Sequence, residues 1–126
     1  MNTIATSKNL QVLIIDDETD ICYLLGSLLR KRHIQSKYVN TLKDAANMLE
    51  TTDPEIIFLD NHLPDGLGVN FIGYIKRFHP VTKIIMITAH DTVTDAKKAY
   101  KEGVDYFIGK PFSKESINTI MEKLVH

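Results

Sequence analysis

Short, continuously apolar runs that each end in a polar or charged residue constrain this chain of 126 residues more than any other feature. "VLII" at 12–15 runs into Asp16 and Asp17, and "IIFL" at 56–59 runs into Asp60. "KIIMIT" at 83–88 ends at Thr88, and "YFIGK" at 106–110 ends at Lys110. Runs this short and this apolar suit strands covered on both faces. "QSKYVN" at 35–40 is more polar and suits an edge strand.

Helical repeats lie between these runs. Ile21, Leu24, Leu25, Leu28 and Leu29 draw one apolar stripe along a helix of about three turns. Leu42, Ala45, Ala46 and Leu49 mark a second helix, with Thr41 as its N-cap. Phe71, Ile72, Ile75 and Phe78 mark a third, stopped by Pro80. Residues 93–102 form a mostly charged fourth helix closed by Gly103. Ser113 and Ser116 open a fifth, striped by Ile117, Ile120, Met121 and Leu124.

Five strands alternating with five helices imply an α/β fold, a parallel sheet with right-handed crossovers and helices on both faces. Ligands of such sheets bind beyond the carboxyl ends of the strands, where strand order reverses. Asp16, Asp17, Asp60, Thr88 and Lys110 all fall at those ends, so they are expected to converge on one crevice. One domain, residues 10–126, accounts for the pattern, after a loose polar lead at 1–9.

Composition narrows the function classes. A formal net charge of −1 gives no general pull toward nucleic acid or an anionic membrane, and neither is expected as a partner. The single cysteine, Cys22, excludes an internal disulfide and an all-cysteine metal site, and its helical setting favours a small buried side chain. No run approaches the length of a membrane span, and "MNTIATSKN" lacks a secretion-signal core, so a cytoplasmic chain is expected.

Carboxylates gathered in one crevice repel. At an effective dielectric of about 20, a like-charge pair at about 4 Å costs about 4 kcal/mol. Such a cluster protonates, pairs with a cation or holds a metal. Oxygen ligands without a set of histidines or thiolates suit a hard cation, and Mg²⁺ is typically held by one or two carboxylates, waters and a phosphate. Lys110 adds a point charge and Thr88 a hydroxyl. These are the parts that stabilise the oxygens of a transferring phosphoryl group, with an aspartate as acceptor.

The pieces "IIDDE", "LDNHLPDGLG", "ITAH" and "GKPF", in this order and spacing, resemble the receiver domain of bacterial two-component response regulators. The resemblance covers essentially the whole chain after the lead, and it implies a doubly wound (βα)5 sheet of flavodoxin-like order 2-1-3-4-5. It implies Asp60 as phosphoacceptor and Asp17 as a direct Mg²⁺ ligand. Asp16 would help mainly through water, and the backbone carbonyl of His62 would complete the protein ligands. Thr88, Ala89 and Lys110 would contact phosphoryl oxygens, and Lys110–Pro111 would be a cis peptide. The donor would be a phosphohistidine on a sensor histidine kinase or phosphotransfer protein.

In this family the threonine moves toward the phosphoryl group, and an aromatic three residues before the lysine turns inward. Here those switch residues are Thr88 and Phe107, and phenylalanine has no hydroxyl, so the switch would work through packing. The output surface would be the fourth helix, fifth strand and fifth helix, facing a downstream protein or, on phosphorylation, a second copy. His62 and His90 would flank the path of attacking water and tune phosphoryl lifetime.

Other readings stand beside this one. Asp16 and Asp17 also suit caps for the helix starting near Asp20, and Lys110 alone suits a solvated surface. A haloacid-dehalogenase-type phosphatase would use His62 as general acid, but gives the Asp16–Asp17 pair no place. A docking pseudo-receiver would dispense with one of the acids or the lysine. The run 88–112 is similar to receivers attached to sigma-54-type ATPase activators, which makes a piece of a longer regulator a further alternative. The chain is expected to be a phosphoacceptor switch rather than an enzyme.

Overall fold

A computed structural model describes residues 10–89 and 93–125. The expected lead at 1–9 and His90 lie outside the described residues. Five parallel strands form the sheet: β1 (Gln11–Ile15), β2 (Gln35–Val39), β3 (Ile56–Asp60), β4 (Lys83–Thr88) and β5 (Tyr106–Gly109). Their spatial order is 2-1-3-4-5, as the resemblance implied. The helices are α1 (Thr19–Arg30), α2 (Leu42–Thr51), α3 (Ile72–Phe78), α4 (Val93–Glu102) and α5 (Lys114–Leu124). None of the described helices is long and apolar enough to cross a membrane.

Alternation along the strands builds two separate cores. Val12, Ile14, Ile56, Phe58, Ile85 and Ile87 face α1 and α5, meeting Leu25, Leu29, Ile117 and Met121. Leu13, Ile15, Ile57, Leu59, Ile84 and Met86 face the other way, meeting Ala45 and Leu49 of α2, Ile72 and Ile75 of α3, and Ala99 of α4. Each fully buried Ile, Leu or Phe contributes about 1.5–3 kcal/mol over an exposed one, and the buried stretches 12–15 of β1 and 56–59 of β3 are apolar throughout.

Three helix boundaries follow directly from local chemistry. The Thr41 hydroxyl accepts from the Asp44 amide at 3.0 Å and the Ser113 hydroxyl from the Ser116 amide at 3.0 Å, capping α2 and α5. Gly103, at φ +118°, ends α4 with its amide on Ala99 O and Tyr100 O. Two expected stripe residues point outward: Leu24 is 46% and Phe78 57% exposed. The inward face of α1 is centred on Cys22, Leu25, Gly26 and Leu29 instead, and Leu24 lies about a third of a turn away from it. Phe78 is the last residue of α3, before the chain turns back into β4, and its ring lies obliquely against that of Tyr74.

The turn from β3 to α3 was not expected in its detail. His62–Leu63 and Gly66–Leu67 pair as a two-residue antiparallel ribbon, and Gly68–Phe71 makes a 3₁₀ turn into α3. The Gly68 amide donates to Asn61 O at 2.8 Å, and the Val69 amide to Asn61 Oδ1 at 2.9 Å, closing the loop behind Asp60. A Cβ at Gly68 would stand 2.2 Å from Asp60 O, which is backbone and cannot step aside alone. Gly68→Ala is therefore expected to lower unfolding stability by about 2–4 kcal/mol, read from urea melts followed by circular dichroism. A loss below about 0.5 kcal/mol, the range of an ordinary surface change, would mean that the loop relaxes freely.

Candidate functional site

Four of the five strands each deliver one of the expected groups to the same end of the sheet. Asp16 follows β1, Asp60 ends β3, Thr88 ends β4 and Lys110 follows β5. The site lies at the β1/β3 boundary, where successive connections leave for opposite faces. A cleft of about 240 Å³ there is lined by Asp17, Glu18, Asp60, His62, Thr88, Ala89 and Lys110. Asp16 lies beneath it, 2% exposed, with Asp60 at 4% and Thr88 at 1%.

Lys110 organises the charges. Its Nζ lies 3.0 Å from Asp16 Oδ2, 2.9 Å from Glu18 Oε1 and 3.7 Å from Asp60 Oδ1. Its backbone amide donates to Thr88 O at 2.9 Å, and the Lys110–Pro111 peptide is cis as expected. Burial works to lower the ammonium pKa, but hydrogen bonds from Nζ to Glu18 and Asp16 outweigh it, and the net shift is upward. The lysine is thus a fixed cation.

Asp16 is held on every side. Oδ1 accepts the Glu18 amide at 2.8 Å, and its carbonyl accepts Asn40 Nδ2 at 2.8 Å and the Cys22 thiol at 3.4 Å. The N-cap of α1 is Glu18 rather than Asp16: one Asp16 carboxylate oxygen bonds the Glu18 amide just before the helix, and the other faces the lysine. Burial raises its pKa despite those partners. Burial also pushes Asp60 up to about 6, with the Asp16 charge adding to it and Lys110 opposing it. Cys22 is buried and its thiol is pushed to about 11, first by desolvation, which makes it a core side chain rather than a nucleophile.

Carboxylate oxygens of Asp16, Asp17 and Glu18 lie within 4.8 Å of one another, an all-oxygen donor set of the kind a hard divalent cation takes. The expected metal group contained Asp60 and the His62 carbonyl rather than Glu18. Asp60 borders the same cleft but turns Oδ1 toward Lys110. His62 Nδ1 lies 3.3 Å from Thr88 Oγ1, linking the loop after β3 to the end of β4. Phe107 is not in the cleft. It is half-buried and packs on the core that contains Met86 and Ala99.

Sequence reasoning missed Glu18, Asn40 and Asp65. Glu18 is the third acid of "DDE", and Asn40 is a polar residue directly after β2, so the strand-end signal that found Asp60 applied to it too. Asp65 reaches across the fold: Oδ1 accepts the Leu42 amide at 2.9 Å and Oδ2 the Lys43 amide at 3.0 Å. Those bonds hold its carboxyl below the usual range and tie the loop after Asp60 to the start of α2.

Comparison with known proteins agrees with this geometry. A family model described as "Response regulator receiver domain" matches residues 12–122. The chain is 35% identical over 101 residues to the response regulator protein PilR of Pseudomonas aeruginosa, covering 80% of this chain and 23% of PilR. It is similar to the beryllofluoride-activated NtrC4 receiver domain dimer, with TM-score 0.86, 36% identity, and 93% and 95% of the two chains covered. A response regulator from Burkholderia pseudomallei with a phosphorylated aspartic acid and a calcium ion aligns with TM-score 0.83 and 25% identity, covering 90% of this chain and 66% of that one. The chain spans about a quarter of the length of the first curated relatives it matches. It belongs to the response-regulator receiver family of two-component signalling.

Proposed function

We propose that this receiver is a phosphorylation-controlled switch whose acceptor is Asp60. The observation that carries the reading is the buried Asp60 carboxylate, open to the cleft between the Lys110 ammonium and the Asp16–Asp17–Glu18 acids. An Asp60 oxygen attacks the phosphorus of a phosphohistidine on a sensor histidine kinase or phosphotransfer protein. The P–N bond breaks, its electrons stay on the imidazole, and an acyl phosphate forms on Asp60. Asp16, Asp17, Asp60 and the His62 carbonyl would hold Mg²⁺, which when bound neutralises charge on the phosphoryl oxygens. Lys110 carries the fixed positive charge, and Thr88 and the Ala89 amide take the remaining oxygens.

The chain turns over nothing: it is an acceptor that assists its own phosphorylation and dephosphorylation, in a cytoplasmic setting. Thr88 moving toward the phosphoryl group leaves room for Phe107, and the face of α4, β5 and α5 reads out the change to a downstream protein or a second copy. The NtrC4 receiver dimer supports the second copy. Phosphoryl lifetime is tuned by His62 and His90. The short share of PilR and similar relatives that is covered supports a parent regulator with further domains, the sigma-54 activator type among them. A docking module that never takes phosphate is the competing reading.

Intact mass after acetyl phosphate decides between the two. One Mg²⁺-dependent phosphoryl adduct is expected on the wild type and none on Asp60→Ala. No adduct from acetyl phosphate or from a panel of phosphorylated kinases would leave the docking module. A second expectation concerns pH. Asp60 titrates at about 6 in the fold against 3.8 unfolded, so its charge weakens the fold fully above about pH 6 and not at all below about pH 4. With a metal chelator present, Asp60→Asn is expected to be more stable than wild type at pH 7.5 by about 1–3 kcal/mol, with the gap closing as pH falls to about 4. A gap that does not vary with pH would show that burial of the charge is not its origin.

A further inference from the structure

In the resting chain Lys110 gives its hydrogen bonds to Glu18 and Asp16 rather than to Asp60. Nζ is 2.9 Å from Glu18 Oε1 and 3.0 Å from Asp16 Oδ2, but 3.7 Å from Asp60 Oδ1. An N–H···O bond spans about 2.7–3.2 Å, so the contact with Asp60 is charge attraction without a hydrogen bond.

The two anions that hold the lysine differ in freedom. Asp16 is immobile: its side chain is 3% exposed, Oδ1 is committed to the Glu18 amide, and its carbonyl to Asn40. Glu18 is anchored only through its backbone, by that amide and by a carbonyl that accepts from the Ile21 and Cys22 amides at the start of α1. Its side chain is 59% exposed, and among the described residues Lys110 is the partner of its carboxylate. Such a carboxylate returns to water at little cost, whereas that of Asp16 does not.

We propose that Glu18 is a positioning residue that holds the Lys110 ammonium beside Asp60 in the unphosphorylated chain and releases it when a phosphoryl group arrives. The inference rests on Asp60 being the phosphoacceptor. Lys110 keeps Asp16 and exchanges a Glu18 oxygen for a phosphoryl oxygen. No covalent bond changes in the exchange. Glu18 thereby opposes phosphorylation by the strength of one exposed ion pair, and it gives the lysine a defined resting place between cycles. Its position at the start of α1, where the helix dipole favours an anion, keeps the carboxylate near the cleft after release.

The test compares wild type, Glu18→Gln and Glu18→Asp at saturating Mg²⁺, with beryllium fluoride as the phosphoryl mimic and fluorine NMR as the readout. The Lys110 ammonium is followed by nitrogen-15 NMR without metal or fluoride. Glu18→Gln is expected to bind the mimic about two- to fivefold more tightly. Glu18→Asp is expected to do the same, because its carboxylate is one methylene too short to reach Nζ. In both variants the resting Lys110 hydrogens exchange faster with water. Tighter binding in Glu18→Gln with wild-type behaviour in Glu18→Asp would assign the effect to local charge and overturn the proposal. Unchanged binding in both, or an unchanged Lys110 signal, would also overturn it. A loss of Mg²⁺ affinity of about tenfold or more in Glu18→Gln would make Glu18 a metal ligand and overturn the exchange as well. A wild type that takes no beryllium fluoride removes the Asp60 reading together with the exchange, while a binding wild type with flat variants removes the exchange alone.

Discussion

The Lys110 ammonium lets two buried carboxylates share one end of the sheet. Asp16 and Asp60 are 2% and 4% exposed, and both lie within 4 Å of the same nitrogen. Without that cation, one of the two would be driven to protonate. The cation follows the last strand of the chain, β5, at one edge of the sheet. Lys110 is placed by the register of β5 on β4, Thr88 opposite Gly109, and by its own amide on Thr88 O. The charge balance of the site therefore depends on an edge strand pairing correctly, although the acids sit on the central strands β1 and β3.

The order of the strands does the rest. β1 lies between β2 and β3, so the chain leaves β1 toward α1 on one face and leaves β3 toward α3 on the other. The two departing loops open a crevice that no side chain has to vacate. Continuous apolar runs sustain this arrangement, because the inner strands β1, β3 and β4 need apolar residues at both parities to feed two cores. The strand ends carry the acids and the hydroxyl at a cost, since Asp16, Asp60 and Thr88 are buried there, and the Lys110 ammonium offsets part of it. Function and core meet at the strand ends.

How much of this was legible follows from the same point. Continuous apolar runs marked where β1, β3 and β4 lie, and their ends pointed to Asp16, Asp60 and Thr88. Thr41, Gly103 and Ser113 were readable because caps and left-handed turns are local chemistry. Leu24 and Phe78 were misread because a stripe tells the period of a helix more firmly than its rotation, and rotation is set by the partner surface. Glu18 and Asp65 were missed because their partners, Lys110 and the α2 amides, are remote in sequence. His79, buried with Nδ1 on Asp53 at 2.8 Å and Nε2 on Leu49 O at 3.1 Å, escaped notice for the same reason.

Rigidity is distributed unevenly around Asp60, and this bears on where a charge change would be felt. On one side the loop after Asp60 is closed by Asn61 and Gly68 and tied by Asp65 to α2. Every residue of β3 is buried. On the other side every residue of β5 is only half-buried, and α4 buries Ala99 alone. An element with few buried apolar contacts opens at lower free energy than one in the middle of a core. A new negative charge at Asp60 would pull on Thr88, which ends β4, and on Lys110, which follows β5, rather than on the tethered loop. Under the proposed switch, the response would be directed to the α4–β5 edge, where Phe107 packs on the core that contains Met86 and Ala99 and where little packing has to be broken for it to move.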